Sequence, residues 1–298
     1  MAIVNSDTVL EAVSRQMLKD GIPFDNLMSV LSDSASYMRG NENGFKKKSK
    51  ENHAPHLLDI DGDVCHHLHN TVKCFTAELD PNNMLCSLLD DINTDFKFSA
   101  DLREDLKSIS RHMDLSEVSP LERVAIRWLS LYNTTERLIE LQDQLTVFYF
   151  SWLSKQDQKI YKDTVIDILK KNTDPDKSPE IWSILTRMKT KNLTIAGKAR
   201  KQRIIEKLFF KRKHVFFLTS VVTATLPLFK SFTLIFEQKV TLVHKLHDKM
   251  LETLRAFLAS FLKLESLSDK KLLSINPEDK SHQFILGKKH QVYFQPCT

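Results

Sequence analysis

The stretch Val30–Phe45, "VLSDSASYMRGNENGF", runs an apolar segment into Asp33 and then into small, polar and glycine residues. Asp and Ser hydrogen-bond to nearby backbone, so the simple reading is a structural turn. The other reading is a carboxylate held at a strand end, where it binds a metal and acts on phosphates. The preceding residues, "NLMSVLS" (26–32), read as a short buried strand. Either way a small α/β piece stands at the front of the chain, and the rest of the sequence bears on whether the chemistry is complete.

Outward from this stretch, helical spacing dominates. "SDTVLEAVSRQMLKDG" has Ser6 or Asp7 as a cap, apolar residues at Val9, Leu10, Val13 and Met17, and Gly21 as a stop. Residues 40–59 are polar, and their "KKKSKEN" run reads as a solvated loop. From Leu68 onward, segments such as "CFTAELDPNNMLCSLLDDI", "ERVAIRWLSLYNTTERLIELQDQLTVFYFSWLS" and "VTLVHKLHDKMLETLRAFLASFLKLESL" place apolar residues three and four apart. Pro179 marks a helix start after the "NTDPDKSP" linker. The last residues, "DKSHQFILGKKHQVYFQPCT", lose helical spacing.

Only 6 Gly and 9 Pro in 298 residues favour long helices over a turn-rich sheet. Cys65, Cys74, Cys86 and Cys297 show no disulfide-framework spacing and no CxxC pair, which fits a reduced intracellular compartment. No basic segment followed by an apolar run opens the chain as a signal peptide would. "VFFLTSVVTATLPLF" (215–229) is too short before Lys230 to span a bilayer and reads as a buried core helix, so no membrane partner is expected.

Net charge is +5, a mild bias toward acidic partners. The bias concentrates between Arg187 and Lys213. That belt holds Arg187, Lys189, Lys191, Lys198, Arg200, Lys201, Arg203, Lys207, Lys211, Arg212 and Lys213, with Glu206 as its one acid. A solvated helix face usually alternates signs, so this points to a polyanion partner or a nuclear-import signal. Nuclear localisation is favoured over cytoplasmic on that ground.

Two further clusters carry chemistry. In "DIDGDVCHHLHNTVKCF", Asp63, His66 and His69 are three apart and share one face of a helix, while Cys65, His67 and His69 alternate as on an extended segment. Neither set has a standard zinc spacing, and histidines packed at a helix start account for them as well. In "RWLSLYNTTERL" (127–138), Trp128, Leu131, Thr135 and Leu138 form a largely apolar face, which core packing explains. Arg127 beside Trp128 also suits DNA, with guanidinium on phosphate and indole on an unpaired base.

Taken in order, "SVLSDSASYMRGNENGF", "DVCHHLHNTV" and "RWLSLYNTTERLIEL" resemble the hAT superfamily of DNA transposases and the host proteins descended from them. The resemblance runs from about residue 8 to about 265, with "LPLFKSFTLIFEQ" and the helices after it similar to the helical domain inserted into that family's RNase H-like core. It implies DNA cutting and joining by a carboxylate triad holding two Mg²⁺ ions. Asp33 would be the second acid of the triad, Asp63 and His66 would lie near the scissile phosphate, and Trp128 would stack on a flipped base or cap a hairpin end.

The departures matter as much. In the family the first catalytic Asp lies upstream of the equivalent of Leu10. The third acid, a Glu, sits in a Ser-x-x-Ser-Glu-Arg-x-Phe-Ser segment. The tail "HQFILGKKHQVYFQPCT" has no Glu, and Glu252, Glu265 and Glu278 lack that context. The family's BED-type zinc finger and dimerisation segment are also missing. One carboxylate of three cannot hold two octahedral Mg²⁺ ions, so Asp33 would be a metal ligand only in a completed triad.

The expectation is a mostly α chain: a partial RNase H-like α/β segment over 1–75, a helical region over 76–265 and an irregular or strand-like tail over 266–298. Its function would be residual nucleic-acid or protein binding by a catalytically incomplete hAT-like protein, without a resident cofactor. DNA, a protein partner and a second copy all remain open as partners. An active Mg²⁺-dependent transposase or nuclease and a helical protein-interaction scaffold are the alternatives.

Overall fold

The computed structural model describes residues 4–32, 35–58, 63–124, 128–172, 178–189, 193–237 and 242–263, with Leu267, Leu272 and Ile275. They are mostly helical, and no strand forms among them. They divide into two compact units, Met1–Thr71 with Thr233–Leu242, and Val72–Phe232 with Val243–Thr298.

In the first unit, α1 (Ser6–Lys19) packs against α3 (Phe45–Asn52), which also meets the single turn α2 (Ser36–Arg39). The cap of α1 is Asn5, not Ser6 or Asp7: its side chain accepts the Thr8 N–H at 2.9 Å, and the Thr8 hydroxyl accepts the Asn5 N–H at 3.0 Å. Gly21 ends the helix as expected. At φ +67° it lets its own N–H reach Leu18 O and the Ile22 N–H reach Met17 O, a left-handed stop that suits glycine.

The solvated loop expected over 40–59 is a correction, because "KKKSKEN" lies within α3. Phe45 and Ser49 bury one face of that helix, and Lys48 donates to Asp7 at 2.5 Å. The expected buried strand over 26–32 is also corrected. A single parallel bridge, Ser29 with Leu58, stands there, and Met28 and Leu31 are exposed. An RNase H-like α/β element at the front therefore has no support among the described residues.

The second unit is built on α5 (Met84–Lys97), α6 (Ala100–His112), α7 (Trp128–Glu140), α8 (Gln142–Phe150), α9 (Lys155–Asn172), α10 (Ser178–Lys189), α11 (Ile195–Ile205) and α12 (Arg212–Phe236) as far as Phe232. α8 is buried on all sides from Gln144 to Phe150, as a central core helix must be. Phe148 and Tyr149 pack on Phe96 of α5 and on Trp152. Leu131, Thr135 and Leu138 of α7 are buried, so core packing accounts for that part of the apolar face read in "RWLSLYNTTERL".

A five-residue π turn, Glu206–Phe210, interrupts the path from α11 to α12. α12 runs through Pro227 and Lys230 to Phe236, longer than the apolar run in the sequence. Its Val215, Leu218, Val222, Leu226 and Phe229 recur at three and four residues and are buried. It is long and apolar enough to cross a membrane, with half of its most apolar window buried within the fold. α13 (Leu246–Ala259) brings Leu251, Leu254 and Leu258 against Leu262, Leu267 and Leu272. Apart from Leu267, Leu272 and Ile275, the tail expected over 266–298 lies outside the described residues.

Candidate functional site

The largest concentration of chemistry is an acid–base seam between α5 and α11. On α5, Ser87, Asp91 and Asp95 are four apart and share one face. That face meets the cations of α11 and the π turn. Arg203 grips Asp91 with two bonds, Nε to Oδ2 at 3.0 Å and Nη2 to Oδ1 at 2.5 Å. Lys207 Nζ lies 2.9 Å from Ser87 Oγ and 3.4 Å from Asp91 Oδ2. Asp95 takes Arg200 Nε at 3.1 Å, Lys201 Nζ at 2.5 Å and the Tyr149 hydroxyl at 2.9 Å. Partner numbers rise on one helix as they fall on the other, so the two helices run antiparallel.

Lys201 is the most enclosed of these cations. Its side chain is 3% exposed, and Nζ sits 3.9 Å from the Trp152 ring centroid and 5.3 Å from that of Tyr149. The aromatic faces and the Asp95 carboxylate together replace the water this ammonium loses. Burial, followed by the negative charge of Asp95, pushes the Tyr149 phenol well above its ordinary value. The hydrogen bond to Asp91 raises the Arg203 guanidinium. A second link, Arg187 Nη2 to Asp105 Oδ1 at 2.5 Å, joins α10 to α6.

The basic belt is divided: Lys201 and Lys207 are buried and Arg200 is half-buried, while Arg187, Arg203 and Lys211 each meet a carboxylate yet keep exposed side chains. Arg200 and Lys201 meet Asp95, Arg203 meets Asp91, and Lys211 meets Glu206 at 2.6 Å. Lys198 and Lys213 are exposed. Arg212 is half-buried, with its guanidinium carbon 5.3 Å from the Phe216 ring centroid. Burial holds that guanidinium below its ordinary value, against the opposing pull of Asp143.

Asp33 and Arg127 lie outside the described residues. Trp128 is the first residue of α7, and its side chain lies outside the description. Asp63 precedes α4 (Val64–Leu79), and its carboxylate accepts the Cys65 N–H at 3.0 Å, the role of a helix cap. His66 and His69 do share a face of α4, their rings stacked with centroids 6.0 Å apart. Asp33, the carboxylate tied to Mg²⁺ by the resemblance, is among the residues outside the description. Among the described residues no three His, Cys, Asp or Glu side chains are grouped as metal ligands would be.

Asp91, Asp95, Asp105, Tyr149 and Trp152 were not anticipated as site residues. The available signal was "LLDDINTDF" (88–96), where two acids four apart sit among apolar positions of a buried face.

Comparison of the chain with protein-family models, with curated proteins and with solved structures gave no match.

Proposed function

We propose that this chain is a helical binding protein of hAT-transposase descent that joins to a protein partner and carries out no strand transfer of its own. The descent rests on the ordered motifs around Asp33, Asp63–His66 and Arg127–Trp128. The observation that carries the protein-binding reading is the pairing of the belt's centre: Arg200, Lys201, Arg203 and Lys207 meet Asp91 and Asp95 within the second unit, Lys201 and Lys207 from buried positions. In the first unit, Met28, Leu31 and Leu58 stand exposed on two neighbouring extended segments linked by the Ser29–Leu58 bridge. Such a surface suits a protein partner. The nuclear compartment fits a protein of this descent.

Residual DNA contact is the second reading, favoured by charge that the seam leaves over. Eleven cations lie between Arg187 and Lys213, and the carboxylates seen to meet them are Asp91, Asp95, Asp105 and Glu206. Fluorescence anisotropy with duplex DNA across a salt series, with and without Mg²⁺, separates the readings. Each phosphate contact contributes about −0.9 to the slope of log affinity against log salt. Contact by Lys198, Lys211 and Lys213 alone gives a slope no steeper than about −3. A slope near −6 or steeper, or Mg²⁺-dependent cleavage, would overturn the protein-binding reading.

A further inference from the structure

The extended segment 28–32 has one edge paired and one edge open. On the paired side, Met28 O accepts the Leu58 N–H at 2.9 Å and Ser32 O accepts the Asp63 N–H at 3.1 Å. The parallel bridge of Ser29 with Leu58 fixes the phase. In such a bridge the backbone groups of Met28 and Val30 face Leu58, and those of Ser29, between them, face away. The direction alternates along an extended chain, so the Leu31 groups face away with those of Ser29.

That open edge carries two N–H and two C=O groups, and neither Ser29 nor Leu31 has a backbone hydrogen-bond partner among the described residues. Both residues are exposed. An apolar edge in this condition is a template for another strand.

The pattern on the edge is its own complement. Laid antiparallel about Val30, a second copy brings its Leu31 opposite Ser29 and its Ser29 opposite Leu31. Each pair exchanges both N–H···O=C bonds, which uses every open group on both copies and closes the assembly as a twofold pair. Residues 27–32, "LMSVLS", carry no charge, so the axis sets no like charges against each other. A foreign strand has to supply this spacing, whereas the copy already carries it.

The side chains favour the same arrangement. Bridge partners share a face, so Leu58 lies on the side of Ser29, and Leu31, two positions on, lies there too. Leu31 and Leu58 are 65% and 52% exposed. Joining two copies gathers their four leucines on one face, with the small Ser29 side chains between them. Two paired segments make a marginal sheet, and the joined copies make four.

We propose that the 28–32 edge is a self-association site at which two copies of this chain pair antiparallel about Val30. This names a second copy as the protein partner of the reading above and rests on that reading.

Sedimentation equilibrium of the full chain across micromolar concentrations tests it. The mass is expected to rise toward twice that of the chain. Val30 meets its own copy on the twofold axis, so Val30→Lys and Val30→Asp should each stay monomeric, and their equimolar mixture should associate. Leu31→Pro, at an exposed position, removes one donor from each copy and two bonds from each pair, so association should weaken about tenfold or more. Far-UV dichroism melting checks that each variant folds; if the Val30 variants do not, the wild-type mass and Leu31→Pro decide. A wild type that stays monomeric, a mixture no more associated than its components, or association indifferent to Leu31→Pro overturns the proposal. The two failures are distinguishable. A monomer with a shallow DNA salt slope leaves the protein-binding reading standing with a foreign partner, whereas the steep slope described above overturns that reading whatever the mass.

Discussion

Arg203 and Asp91 lie 112 residues apart in sequence and meet through two parallel hydrogen bonds, at 3.0 and 2.5 Å. The two ends differ in exposure: the Arg203 side chain is 52% exposed, that of Asp91 12%. Removing the acid leaves Lys207 enclosed without its carboxylate, whereas removing Arg203 leaves Asp91 with Lys207 still beside it. Asp91→Ala should therefore cost about 3–5 kcal/mol of unfolding free energy, the range for breaking a buried pair from one side. Arg203→Ala should cost about 1 kcal/mol. Urea unfolding of the two variants checks the order; equal losses would show that Asp91 is not the hub.

Tyr149 makes stability sensitive to alkali. Its phenol is fully buried and held well above the usual 10, so the folded state keeps a proton that the unfolded state loses. The contribution is complete below pH 10 and declines as pH rises above it. Tyr132 acts in the same sense, burial and then its bond to Glu136 taking it up to about 12. Stability should fall from pH 10 upward, and Tyr149→Phe should flatten that fall while costing about 1 kcal/mol at neutral pH through the lost bond to Asp95. Urea midpoints measured from pH 8 to 11 in both proteins test it; an unchanged alkaline slope in the variant would count against it.

The described thiols should label in a definite order. Burial, with the charges of Asp63 and Glu237, pushes Cys65 up to about 11, and burial also raises Cys86. Cys74 is exposed. In a Cys297→Ser background, iodoacetamide at pH 8 should modify Cys74 first, with Cys65 and Cys86 following only on unfolding, because the thiolate is the reactive form. Peptide mass mapping over time reads the order directly.

Asp63 separates a cap from a chemical role. If its work is to accept the Cys65 N–H, Asp63→Asn should be nearly neutral, and Asp63→Ala should cost about 1 kcal/mol. Thermal melts of both variants measure this. A loss of similar size in the Asn variant would mean that the negative charge itself is needed.

Much of the helical fold was legible in the sequence, because α1, α8 and α12 carry apolar residues at three- and four-residue spacing or an unbroken apolar run. α3 was not. Only Phe45, just ahead of its "KKKSKEN" run, and Ser49 within it are buried, too little apolar signal to distinguish a helix from a loop. The strand expected at "NLMSVLS" failed for a related reason: a short apolar run does not say whether Met28 and Leu31 find a partner, and here they remain exposed. The belt's residues were legible, and the carboxylates that meet several of them were not. A local window from Arg187 to Lys213 shows one sign of charge, while its counter-charges, Asp91, Asp95 and Asp105, stand 82 to 116 residues earlier. Charge compensation over that distance is a property of the packed helices and is invisible to periodicity.

The π turn at Glu206–Phe210 also bears on how the chain tolerates changes of length. An α-helix advances about 100° per residue, so deleting one residue within α11 or α12 swings every later side chain away from its neighbour. A π turn closes from i to i+5 and holds one residue more than the α ladder needs. Removing a single residue there, for instance the half-exposed Phe210, tightens the winding and keeps the cations of α11 and the apolar face of α12 in phase. The segment thus works as an expansion joint, the place where this part of the chain can lose a residue without losing the alignment on either side.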